Sequence, residues 1–92
     1  MQTLNAAIIG LGSTYRTVGR YQQSKDLLEK GIKQFDNQAM KVFLAMTLYN
    51  LKAHEAAMQQ LLQLLAETSS DSSIRQFSEA IAYYADRLND IW

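Results

Sequence analysis

Ninety-two residues with no cysteine, no proline, four glycines and nine basic side chains against nine acidic ones leave room for one modest domain. Zero net charge removes any global attraction to nucleic acid or an anionic membrane, and the missing cysteines remove disulfides and thiolate metal sites. No apolar run approaches the roughly 20 residues of a membrane-spanning helix, and no basic start leads into an apolar block, so a cytoplasmic setting without nucleic-acid or membrane partners is expected.

The spacing predicts a first helix over 1–18, where Leu4, Ala7, Ile8, Leu11, Tyr15 and Val18 form one apolar stripe that Ala6 and Ile9 widen. The outer side of a terminal helix in a stack should be polar, and here it is not. Leu4 and Ile9 are therefore expected on a face that something covers: upstream repeats beyond this chain, which is the preferred reading, a second copy, or a partner. Gly10-Leu11-Gly12 lacks the preceding strand of a phosphate loop, because a helical pattern runs straight through it.

Gly19 and Arg20 make a tight turn into a second helix over 21–34, whose pairs Lys25 with Glu29 and Asp26 with Lys30 mark a solvated face. Residues 35–37 form a loop in which Asp36 or Asn37 caps a third helix over 38–51. A fourth helix, about 53–66, is apolar over much of its circumference and is expected to be buried on two sides. Ser70 or Asp71 then starts a fifth over about 72–90, with Ile74, Phe77, Ile81, Tyr84, Ala85 and Leu88 on its apolar stripe. Trp92 is expected either to fold back on the core or to fray.

A shift of 33 residues places Leu11 on Leu44, Gly12 on Ala45, Tyr15 on Leu48, Ser24 on Ala57, Leu28 on Leu61 and Gly31 on Leu64. A second shift carries Leu44 to Phe77, Ala45 to Ser78, Leu48 to Ile81 and Leu51 to Tyr84. Small residues meet small ones at helix crossings and large apolar residues meet large ones at most other positions, the signature of stacked helix pairs. The first copy, Leu11-Gly12-x-x-Tyr15 with Gly19, Tyr21, Ser24 and Leu28, resembles the tetratricopeptide repeat. It departs from that pattern at Ile8, where a Trp-like residue is usual, at Ser24 and Gly31, where alanines are, and at Asp36, where proline is frequent. The whole chain is similar to the C-terminal part of small bacterial proteins of this kind, tetratricopeptide group 5.

The resemblance implies an all-α, right-handed superhelix of antiparallel helix pairs, five helices in one domain: a first repeat at about 5–37, a second at about 38–70 and a capping helix at about 72–90. It implies a non-enzymatic scaffold for a protein or peptide partner, in which the first helix of each pair lines a concave groove. In that register the groove holds Ile9, Ser13, Arg16 and Thr17, then Val42, Met46, Tyr49 and Asn50, then Arg75, Glu79 and Tyr83. The alternative is a structural module that self-associates through the apolar first helix.

No constellation for catalysis or for a cofactor emerges. His54, the single histidine, lacks companion ligands and stands at the repeat's aromatic position, equivalent to Tyr21, so it is expected to pack. The charges are uneven: residues 1–52 carry seven Lys or Arg against three acids (+4), residues 53–92 two against six (−4). That polarity favours head-to-tail contact, weakly, since salt screens exposed charges within about 8 to 10 Å.

Overall fold

Two turns with the same backbone geometry each join the two helices of a pair. At the first, Gly19 adopts φ +83°, its N–H donates to the Arg16 carbonyl and the N–H of Arg20 donates to the Tyr15 carbonyl over 2.8 Å. Thirty-three residues on, Lys52 adopts φ +66°, its N–H reaches the Tyr49 carbonyl and that of Ala53 the Leu48 carbonyl over 2.9 Å. These are paired Schellman closures, which satisfy the last carbonyls of a helix and reverse the chain. The second does so without glycine, at a strain cost of about 1 kcal/mol.

The computed structural model describes residues 2–91, with side chains from residue 4; Met1 and Trp92, and with them the expected behaviour of Trp92, lie outside the described residues. The described residues form six helices and no strand: α1 (Gln2–Thr17), α2 (Tyr21–Phe35), α3 (Gln38–Asn50), α4 (His54–Thr68), α5 (Ser72–Gln76) and α6 (Ser78–Ala85). Asn37 caps α3 by accepting from the Met40 N–H over 3.0 Å, while Asp36, in the left-handed region at φ 48°, closes α2. Asp71 caps α5, accepting from the N–H groups of Ser73 and Ile74. On α2 the Lys25–Glu29 pair forms at 3.2 Å, but Asp26 accepts from the Gln22 amide instead of pairing with Lys30.

The molecule measures 38 × 32 × 19 Å, and its thin dimension is about two helix diameters. The core lies where α1 and α2 receive α3. Leu28, Met40 and Leu44 form its centre, with Ile8, Ile9 and Ile32 packed against them. Small residues permit the approach: a Cβ on Gly12 would stand 2.9 Å from the Leu28 side chain, and one on Gly31 would stand 2.8 Å from Met40 Sδ. One polar node joins the three helices. Ser24 Oγ donates to the Gly12 carbonyl over 2.8 Å and so accepts from Thr47 Oγ1 at 2.9 Å, with both side chains fully buried.

The fifth expected helix is two. It breaks at Phe77, whose φ of −108° and ψ of 14° interrupt the helical run, and Phe77 is 56% exposed where its equivalent Leu44 is 6% exposed. Phe77 therefore leaves the apolar stripe assigned to it. Beyond the break, α6 packs against α4. Gln63 Nε2 donates to the Ala82 carbonyl and Asn89 Nδ2 to Glu55 Oε1. Together with buried Ala66 these contacts mark one flank of α4. The row Met58, Leu61 and Leu65 stands about a third of a turn away from it and is exposed.

Candidate protein-interaction site

The exposed row on α4 faces the same way as the inner side of α3, and the two enclose a cleft. Its volume is about 410 Å³ and its wall is largely apolar: Val42, Ala45 and Met46 from α3, Ala57, Met58 and Leu61 from α4. The helical spacing of these residues explains the shared face, because positions 42, 45, 46 and 49, like 54, 57, 58 and 61, recur every three or four residues. A shallower depression continues along α4 past Leu61 and Leu65 to Thr68.

Polar groups stand at one end. Arg16 reaches over from α1, its Nε donating to Asn50 Oδ1 over 2.6 Å, which holds the guanidinium at the rim. Tyr49 and His54, also lining the cleft, lie ring against ring with centroids 4.6 Å apart and planes inclined by 39°. His54, expected from its register to pack, is exposed and lies against the likewise exposed Tyr49 at the mouth of the cleft. Among the described residues no three His, Asp or Glu side chains gather as a metal site.

Of the groove residues expected from the register, Arg16, Val42, Met46 and Tyr49 line this cleft, and Asn50 orients Arg16. Ser13 is half-buried on α1 outside the lining. Arg75, Glu79 and Tyr83 are not brought to it. The break at Phe77 and the docking of α6 on the other flank of α4 carry them elsewhere, and Tyr83 instead stacks under the Arg87 guanidinium, 4.1 Å from its ring centre. Of the two residues expected on the outward face of α1, Leu4 is exposed there, whereas Ile9 packs inward on the core cluster. The outward stripe is Leu4, Ala7, Leu11, Thr14 and Val18, every one exposed. The register places no α4 residue in the groove, yet His54, Met58 and Leu61 line the cleft; the burial expected on two sides of that helix does not extend to Met58, Leu61 and Leu65, which are exposed.

A family model described as tetratrico peptide repeat matches residues 2–88. The chain belongs to the tetratricopeptide repeat family. None of the curated proteins compared with it matches. The matched span takes in all six described helices. Such repeats are typically scaffolds without catalytic activity, which implies protein partners. No described helix is long and apolar enough to cross a membrane.

Proposed function

We propose that this tetratricopeptide module is a non-enzymatic interaction scaffold whose α3–α4 cleft receives the apolar face of a helix from a protein partner. The observation that carries the reading is a contrast between equivalent positions. Leu28 is completely buried because α3 lies on it, while Leu61, one repeat on, is 41% exposed with Met58 and Leu65 exposed beside it. A surface built to be covered by a helix is left uncovered, and contiguous exposed apolar area of this kind marks interaction sites. Arg16 and the Tyr49–His54 pair add directional and aromatic groups at the rim, residue types enriched where binding energy concentrates.

The test is calorimetric titration with a synthetic peptide of residues 37–51, stapled into a helix because an isolated helix of that length is marginal in water. This is the segment that covers the equivalent face of the first repeat. Saturable binding that disappears in Leu61→Glu supports the reading; no heat with either protein, at millimolar peptide, overturns it.

A further inference from the structure

Among the described residues two apolar faces are left unpartnered, and one repeat step relates each to a surface that is already paired inside the molecule. The outward stripe of α1, residues Leu4, Ala7, Leu11, Thr14 and Val18, corresponds after 33 residues to Asn37, Met40, Leu44, Thr47 and Leu51. In that set Met40, Leu44 and Thr47 are the buried residues with which α3 seats itself on α1 and α2. The open α3–α4 face corresponds in turn to the α1–α2 face that receives them.

We propose that the occupant of the cleft is α1 of a second copy of this chain, docked head to tail in the geometry with which α3 docks on α1 and α2. The inference rests on the cleft reading above and names its partner. Three contacts argue for it. Inside the chain Met40 fills the space that Gly31 leaves; one step on, Leu64 replaces the glycine and Ala7 replaces the methionine, so the volumes exchange sides. Leu28 meets Leu44 inside the chain, and Leu61 would meet Leu11, which is 46% exposed. Ser24 satisfies Thr47 inside the chain, whereas Ala57 offers no hydroxyl. Thr14 needs none, because its Oγ1 already donates to the Gly10 carbonyl over 2.8 Å.

The chain's own third first-helix is a poorer fit. It would set Ser73 against Leu64, and the Ser73 hydroxyl is engaged with Asp71 at 2.6 Å. Charge supplies a direction as well, since head-to-tail stacking brings the +4 half of one copy beside the −4 half of the next. Such a contact is heterologous, using different surfaces on the two copies, and extends without closing unless the rotation happens to close a ring.

Sedimentation velocity from micromolar to millimolar chain, on the wild type, Leu11→Glu and Leu61→Glu, decides it. Both substitutions fall on exposed positions, and circular dichroism checks that each variant keeps its helicity. The wild type is expected to form dimers and longer species with rising concentration, and each variant alone to stay monomeric. An equimolar mixture of the two is expected to give dimers and nothing larger, because one variant keeps an intact tail and the other an intact head. A wild type that stays monomeric overturns the inference, as does a Leu61→Glu variant that still dimerises through α1 alone or a mixture that fails to associate. A monomeric wild type whose cleft still takes the stapled peptide means a foreign helix is the partner, so the self-docking inference falls while the cleft reading stands. If the peptide fails too, both fall.

Discussion

Leu28 and Leu61 hold the same place in successive repeats, yet the first is fully buried and the second 41% exposed. The difference lies in what covers them, because α3 lies over Leu28 and no described helix lies comparably over Leu61. Leu28→Ala is expected to cost about 3 kcal/mol, removing buried methyls and leaving a cavity in the centre of the core. Leu61→Ala is expected to cost about 1 kcal/mol, since much of the side chain already meets water. Urea unfolding of both variants, with unchanged slopes, checks the ratio; equal losses would mean that Leu61 is covered too.

The glycines of α1 divide in the same manner. A Cβ on Gly12 would press on Leu28 at 2.9 Å, while around Gly10 nothing stands within 4 Å. Gly12→Ala is expected to destabilise by about 1–3 kcal/mol through overpacking of a residue that has no room to retreat. Gly10→Ala is expected to stabilise by about 0.5–1 kcal/mol through the lower entropy of the unfolded chain. Opposite signs in thermal melts are the expected outcome.

Lys52 carries the positive φ that Gly19 carries in the first repeat, with the same closing hydrogen bonds. Lys52→Gly removes a strained Cβ and should raise stability by up to about 1 kcal/mol, while Gly19→Ala should lower it by a similar amount. A loss of stability in Lys52→Gly would show that the side chain contributes more than its backbone strain costs.

Acid should open the start of α5. The carboxylate of Asp71 is held below its ordinary range, first by the Ser73 hydroxyl and then by the Ile74 N–H. Because the folded value is the lower one, the cap's contribution is complete above the ordinary Asp range and is lost as pH falls through the depressed value. The amide resonances of Ser73 and Ile74 should move together in that acid window and stay fixed in Asp71→Asn.

Much of this architecture is legible in the chain because its causes are local. The 33-residue echo, the turn at Gly19, the Asn37 cap and the Asp71 cap all follow from side-chain size or from hydrogen bonds within a few residues. The break at Phe77 is not legible, since Ile74, Phe77 and Ile81 read as a continuous helical stripe. What removes Phe77 from that stripe is the docking of α6 on the Glu55–Gln63 flank of α4, a tertiary choice that exposes an aromatic ring. The same choice explains the uneven result at the site. Arg16, Val42, Met46 and Tyr49 depend only on repeat register and come together, whereas Arg75, Glu79 and Tyr83 needed an unbroken helix and do not.

The most direct measurement is a methyl NMR map of the chain, labelled at Met and Leu, during titration with the stapled 37–51 peptide. The proposed account predicts progressive shifts at Met46, Met58, Leu61 and Leu65, with Leu28 and Met40 unmoved in the core between α2 and α3. Shifts confined to Leu4 and Leu11, or spread over α6 while the cleft methyls stay still, would contradict it.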